Sequence, residues 1–447
     1  MVQIFRQTAR TACGKEALIA IQGSVAHMTE NSFDVLVIGG GPAGSTISAL
    51  LAERGEKILL VEKDTHPRFH IGESLLPMNV PLLEALGVKQ QVDRIGMPKF
   101  GVEFVSPYHK NATSFDFSQS WDKTLSYSYE VRRSEFDQIL FNNAAAKGAQ
   151  VIEGCRITDV EFPPSGGVVA TGQDIHGQTR RFEAKFLVDA SGRDTLLAGK
   201  LALKQRNRRH ASAAVFAHFT GARRLAGKAA GNISIFWFEH GWFWFIPLAD
   251  GSTSVGAVCP PAFMKTRKTD VTGFLENLIA QCPALAERLA DARMAGPATA
   301  TGNYSYRSAR MTGSNFLLLG DAYAFIDPVF STGVYLAMKS AFLGADVVTT
   351  CLHRPRAEAD RALRRFEAQV REALARFSWY IYRMNTPAMR ELFMKPRNYL
   401  RVQEAMLSLL SGDVFAHSPI HSRLLLFKSL FYIKRFFQRP APRSGSA

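Results

Sequence analysis

Several groups of residues in this sequence have types and spacings that could do chemistry. Gly39-x-Gly41-x-x-Gly44 follows directly on Phe33-Asp34-Val35-Leu36-Val37-Ile38, a short apolar run that reads as a buried parallel strand. In that setting Gly39 allows a tight turn and Gly41 lets backbone approach a pyrophosphate. Gly44 lets the next helix, expected to begin near Ser45, pack on the strand. The start of such a helix offers free N–H groups and a positive dipole end to phosphates. A second strand, Lys57 to Val61, ends in Glu62, 18 residues after Gly44 and placed to accept hydrogen bonds from an adenosine ribose. Further on, Phe316-Leu317-Leu318-Leu319-Gly320-Asp321 puts a carboxylate at a strand end, where a hydroxylated ligand in the sheet crevice would meet it. Asp321 is equally a candidate N-cap for the segment that follows. Pro328-Val329-Phe330-Ser331-Thr332-Gly333 enters a helix that continues through Tyr335, Leu336 and Met338. Small residues at such a junction leave the N–H groups of Thr332 and Gly333 pointing outward, a nest suited to an anion.

These groups need elements to position them. Strand, glycine turn, helix, strand and acid together make a dinucleotide-binding unit, and the chain has only one GxGxxG. A second kind of element is Gly241-Trp242-Phe243-Trp244-Phe245-Ile246-Pro247, an aromatic strand ended by proline. Alternation puts Trp242, Trp244 and Ile246 on one face, and taken alone this is equally a core strand of an antiparallel sheet.

The rest of the chain bounds the reading. It has 447 residues, 47% apolar and 21% charged, which is globular composition for two or three domains or one large domain with a lid. The net charge of +15 suits nucleic acid, a membrane surface, an anionic cofactor or an acidic partner. No helix-turn-helix, RNP or zinc-finger pattern accompanies it, so no nucleic-acid partner is expected. Cys13, Cys155, Cys259, Cys282 and Cys351 form no CxxC pair; no metal site is expected, and the setting reads as a reducing cytoplasm. No apolar stretch is long enough to span a membrane, and residues 1–27 do not read as a signal peptide.

Three further segments carry a resemblance. Val131-Arg132-Arg133-Ser134-Glu135-Phe136-Asp137, Leu187-Val188-Asp189-Ala190-Ser191-Gly192-Arg193 and the Gly320-Asp321 strand resemble the flavoprotein monooxygenase superfamily, with its glutathione-reductase-like FAD domain. That resemblance implies FAD as cofactor, with Arg133 on its flavin side and Asp321 on its ribityl chain. Within the superfamily, the complete Trp-x-Trp-x-Ile-Pro at 242–247 and the Phe-x-x-Pro-x-x-Ser-x-Gly at 325–333 resemble the flavin-dependent halogenases. Ile71-Gly72-Glu73-Ser74-Leu75-Leu76-Pro77 and Gly96-Met97-Pro98-Lys99-Phe100-Gly101 resemble their pyrrole- and phenol-type branch. The tryptophan-type branch carries its lysine eight residues after the equivalent of Glu73, which here is Pro81. Lys99 is therefore the candidate catalytic lysine, and free tryptophan is not the expected substrate.

The resemblance implies a halogenase that uses reduced FAD, dioxygen and chloride or bromide to make hypohalous acid. The halide would sit at Ser331, Thr332 and Gly333, with Pro328 and Gly333 also against the cofactor. Trp242 and Trp244 would wall the passage to Lys99, where an electron-rich aromatic is halogenated. The implied partners are a separate flavin reductase and a phenolic or pyrrolic substrate, free or on an acidic carrier protein. The alternatives are an NAD(P)H-dependent aromatic hydroxylase or polyene reductase on the same fold, and a catalytically silent flavoprotein.

The expected architecture is an α/β chain. A glutathione-reductase-like FAD-binding core spans 33–345, with an antiparallel β substrate-side layer near 100–130 and 205–260. A helical C-terminal subdomain follows at 346–438. Residues 1–32 are expected to be a disordered or artefactual extension, and 439–447 a disordered tail. The basic, aromatic stretch 422–437 has three readings: a helix packed on the lid, a membrane-surface helix that would make a cytoplasmic enzyme peripheral, or a docking face for an acidic carrier.

Overall fold

A computed structural model describes residues 30–302, 305–415 and 419–438 of the chain. Most of the expected extension at 1–32, and the tail at 439–447, lie outside the described residues. The first strand runs Glu30–Ile38, beginning three residues before the Phe33 start read from the apolar pattern.

The first sheet places Gln150–Ile152, Ile58–Val61, Glu30–Ile38 and Thr179–Asp189 side by side and parallel. The C-terminal end of Thr179–Asp189 also pairs in parallel with Phe316–Leu318, while its N-terminal half continues antiparallel into Val168–Asp174 and Cys155–Glu161. Ile58–Val61 is buried throughout, as a strand covered on both faces must be. The helix Pro42–Glu53 begins at the glycine turn and packs against the helices Arg133–Ala146 and Thr332–His353. Two glycines make that approach possible. Gly39 has φ +101°, and a Cβ on Gly44 would stand 1.9 Å from the Gly39 carbonyl oxygen.

The second sheet runs in the order Arg293–Met294, Ala213–Thr220, Thr253–Cys259, Gly241–Pro247, Ile233–Phe238, Gly101–Val105, Thr113–Asp116. It departs from the expected antiparallel layer at one place, where Ile233–Phe238 pairs parallel with Gly101–Val105. The cause is connectivity. Between Gly101–Val105 and Ile233–Phe238 the chain runs through the first sheet and then Ala213–Thr220, so this pair is joined by a long crossover rather than a turn. Arg293–Met294 and Thr299–Thr301 extend the layer beyond 260. Alternation on the aromatic strand falls as expected: Trp242, Trp244 and Ile246 enter the main core shared with the first sheet. Phe243 and Phe245 face a second core under the helix Val271–Ala280.

The C-terminal region is helical: Arg356–Ile381, Pro387–Met394, Val402–Ser411 and Ile420–Phe437. Leu363, Phe366 and Val370 are buried at helical spacing. The helix Thr332–His353 runs unbroken through residue 345, and buried residues on both sides of it belong to one core. Among the described residues no helix is long and apolar enough to cross a membrane.

Gly256 lies opposite Trp244 in register. A Cβ there would stand 2.3 Å from the indole and 2.5 Å from Phe216 Cβ. Gly256→Ala is expected to displace the Trp244 ring, lowering unfolding stability by about 1–3 kcal/mol and shifting tryptophan fluorescence. Unchanged denaturation and emission would show that the ring is not held by this contact.

Candidate active site

A long cavity opens at the C-terminal ends of the parallel strands, where the two sheets meet. Gly39, Gly41, Glu62, Arg133, Asp321 and Pro328 line it from the first sheet and its flanking turns, and Trp242, Trp244, Ser331, Thr332 and Gly333 line it as well. The sequence-derived candidates thus converge, with two exceptions. Gly44 acts through helix packing, and Lys99 lies behind the wall.

At the nucleotide end, Glu62 does more than the sequence implied. Its Oε2 accepts the N–H of Gly40 at 2.6 Å and its Oε1 that of Asp64 at 3.0 Å, so the carboxylate ties down the glycine turn. Arg68 stands 3.6 Å from it and also donates to Asp137 at 3.1 Å. Arg133 donates to both oxygens of Asp137, at 2.8 and 3.0 Å, and to the carbonyl of Ile71 at 2.9 Å. Burial opposes ionisation of Asp137, but the Arg133 and Arg68 guanidiniums prevail and hold its carboxyl below the usual range. Burial, with Arg133 alongside, pushes His70 down to about 4. Arg68, Asp137 and His70 were missed by sequence reasoning, although Asp137 lies four residues after Arg133, the helical spacing of an ion pair.

Asp321 sits in the short turn Gly320–Ala322 at the end of the Phe316–Leu318 strand. Burial pushes its carboxyl up to about 6, against the pull of Arg193 and Arg133. Its side chain caps no helix among the described residues, which removes the N-cap reading.

Ahead of the helix Thr332–His353, Asp327 accepts from the Ser212 hydroxyl at 2.8 Å and from the Val329 N–H at 3.2 Å, capping the turn Pro328–Phe330. Burial raises Asp327 to about 6, opposed by Ser212, the Val329 N–H and the Trp242 indole. Ser331 then takes a left-handed conformation, φ 56° and ψ 28°, and the 22-residue helix starts at Thr332. A non-glycine residue held there costs about 1–2 kcal/mol, supplied by the surrounding packing. As the opening residues of the helix, Thr332 and Gly333 have no carbonyl partner for their N–H groups inside it. A Cβ on Gly333 would meet nothing within 4 Å, so the backbone there is open to the cavity.

Lys99 ends the short strand Met97–Lys99, paired with Ser128–Glu130. The segment Glu73–Leu75 runs along the other side of 128–131 through the Leu75 N–H to the Tyr129 carbonyl and the Val131 N–H to the Glu73 carbonyl. The lysine is 1% exposed. Its Nζ donates to Ser74 Oγ at 2.7 Å and to the Leu75 carbonyl at 2.8 Å, and lies 3.7 Å from Glu130. Burial lowers the lysine from its ordinary value, opposed by Glu130. Burial raises Glu130 to about 8, opposed by Lys99. Ser74 and Glu73 line the cavity, so the Ser74 hydroxyl is the link between cavity and lysine. Glu73 in turn meets His218 at 2.8 Å. Sequence reasoning used Gly72-Glu73-Ser74 only as a landmark for Lys99 and missed Glu130 and His218. A carboxylate immediately before Val131-Arg132-Arg133 was the available signal.

Comparison with known proteins bears on this geometry. The family model described as tryptophan halogenase matches residues 34–121 and 107–391. The flavin-dependent halogenase armH3 of Armillaria mellea is 34% identical over 78% of this chain and 73% of its own length. A 1H-pyrrole-2-carbonyl peptidyl-carrier-protein chlorinase of Pseudomonas fluorescens is 29% identical over 87% of this chain and 91% of its length. Among solved structures, the myxobacterial chondrochloren halogenase CndH, described as FAD-dependent, superposes with a TM-score of 0.76 at 31% identity, over 92% of this chain and 99% of that one. With a flavin-type cavity built from these residues and matches of this extent, the chain belongs to the flavin-dependent halogenases, a family of oxidoreductases.

Proposed function

We propose that this halogenase oxidises chloride or bromide to hypohalous acid and delivers it to a phenolic or pyrrolic ring through Lys99. The observation that carries the reading is the Ser74 bridge. One cavity is lined both by an open helix start, Thr332 and Gly333, and by a serine hydrogen-bonded to a buried lysine.

The residues present fit FAD. The glycine turn leaves room for a pyrophosphate, since a Cβ on Gly41 would meet nothing closer than Arg68 at 3.5 Å. Glu62, Arg133 and Asp321 offer polar groups along the cavity, and Pro328 and Gly333 would flank the ring system. Reduced FAD, supplied by a separate reductase, would furnish with dioxygen the two-electron oxidation of the halide. The N–H groups of Thr332 and Gly333 would hold the halide, with the helix dipole favouring its charge. Trp242 and Trp244 wall the passage and exclude bulk water. The lysine lies beyond Ser74, and as an ammonium it can donate to the hypohalite oxygen and make the halogen more electrophilic. The ring then exchanges a C–H for a carbon–halogen bond, and water leaves.

Pro81 at the tryptophan-branch lysine position supports a ring other than free tryptophan. The chlorinase relative's name supports a carrier-bound pyrrole, and Lys204, Arg206, Arg208 and Arg209 offer a cationic approach for an acidic carrier. The test is anaerobic photoreduction of the bound flavin, then oxygen with chloride or bromide and monochlorodimedone as hypohalite trap. Halide-dependent trap loss is expected. Peroxide release without halide dependence would point to a hydroxylase or reductase.

Lys99→Ala is expected to keep flavin content and trap consumption but to lose halogenation of pyrrolic and phenolic acceptors by at least about a hundredfold. Retained product would overturn the lysine's role.

Glu130→Gln removes the carboxylate that favours the Lys99 ammonium, so the lysine should lose its proton at lower pH. The alkaline limb of aromatic halogenation should move to lower pH while that of trap consumption stays in place. An unmoved limb would mean that the pair does not control the step.

A further inference from the structure

The helix Ile420–Phe437 turns one side inward through Ile420, Leu424, Phe427 and Phe431. Its other side is apolar as well. Leu425 is 62% exposed, Ile433 55% and Phe436 84%, and Tyr432 and Phe437 also stand out in solvent. At 3.6 residues per turn these side chains share the outward arc. The same arithmetic puts Arg423 and Lys434 along one flank of that arc, and Lys428 and Arg435 along the other. No Asp or Glu occurs in the helix, and residues 439–447 add Arg439 and Arg443 and again no acid.

A second exposed apolar element stands beside it. Tyr399 and Leu400 are 67% and 75% exposed on a turn in which Leu400 and Arg401 both take left-handed φ, 51° and 63°. Arg401 and Arg423 lie over the same Trp121 ring, at 3.6 and 5.3 Å, which fixes this turn next to the helix start. Local backbone strain is thus spent holding a leucine in water.

We propose that this helix and the 399–401 turn seat the enzyme on an anionic membrane surface. An apolar stripe between two cationic rows matches an interface in which apolar side chains enter the acyl boundary while Lys and Arg reach the headgroups. Two other occupants fit less well. A second copy paired through this face would set Arg423, Lys428 and Arg435 against each other, while the nearby acids Glu391 and Glu404 are already engaged within the chain by Lys395 and Arg401. A folded acidic protein would need about 800 Å² on each side for a stable interface, more than one face of an 18-residue helix about 27 Å long provides. No helix among the described residues crosses a membrane, so the attachment is peripheral.

Vesicle co-sedimentation of the full-length, flavin-loaded protein tests this. The protein should sediment with vesicles of phosphatidylcholine mixed with phosphatidylglycerol, should remain in solution with pure phosphatidylcholine, and should be released by salt. The double variant Ile433→Glu and Phe436→Glu should lose at least about tenfold in partitioning, with flavin content and reduced-flavin oxidation unchanged. Equal sedimentation of wild type and variant would overturn the proposal. So would absence of vesicle binding, whether the variant converts a dimer to a monomer by size-exclusion chromatography or alters binding to an acidic carrier protein.

Discussion

A buried carboxylate holds this active site together. Asp137 receives two guanidiniums, Arg133 from its own helix and Arg68 from the segment after the second strand. A lone buried carboxylate would be driven to protonate, and one with two arginines stays ionised and becomes a fixed point. From it the rest follows by contact. Arg68 sits beside Glu62, which grips the glycine turn, while Arg133 holds the carbonyl of Ile71 and with it the approach to Glu73 and Ser74. The wall segment 71–75 is therefore held from Asp137 through Arg133 as well as by its backbone bonds to 129–131.

The two buried charge clusters beside the cavity are built on opposite electrostatic principles. Around Asp137 charge is matched by charge. Around Lys99 and Glu130 burial pushes both groups toward their neutral forms, and neither Glu130 oxygen has a hydrogen-bond partner among the described residues. Each group is then held in its charged form by the attraction of the other, so the proton the lysine can donate depends on Glu130. The serine between this pair and the cavity keeps the lysine out of contact with the cofactor space while leaving it one hydrogen bond away.

Much of this was legible in the chain. Gly39 and Gly44 announced the turn because only residues without a Cβ fit there, and the alternation of Trp242 and Trp244 gave their shared face. These are local rules, carried by adjacent residues. What was not legible came from distant pairings. Ser74 against Lys99, Glu73 against His218 and Asp327 against Ser212 join segments 25 to 145 residues apart, and no periodicity records such a meeting. The parallel pair in the second sheet escaped for the same reason, since hydrophobic alternation looks alike in both strand directions. The boundary at 345 follows the extent of the family resemblance, whereas the helix Thr332–His353 runs across it.

The order in which the chain feeds its two sheets sets a limit on how this enzyme can diversify. Strands of the first sheet come from 30–61, 150–189 and 316–318, and those of the second from 101–116 and 213–301. Neither layer is a contiguous stretch of gene. Recombination that imports a foreign segment would bring part of each layer and break the seams of both, because strands far apart in sequence must pair for either sheet to close. A change confined to single side chains of the cavity wall leaves both seams intact, whereas exchange of a contiguous segment does not.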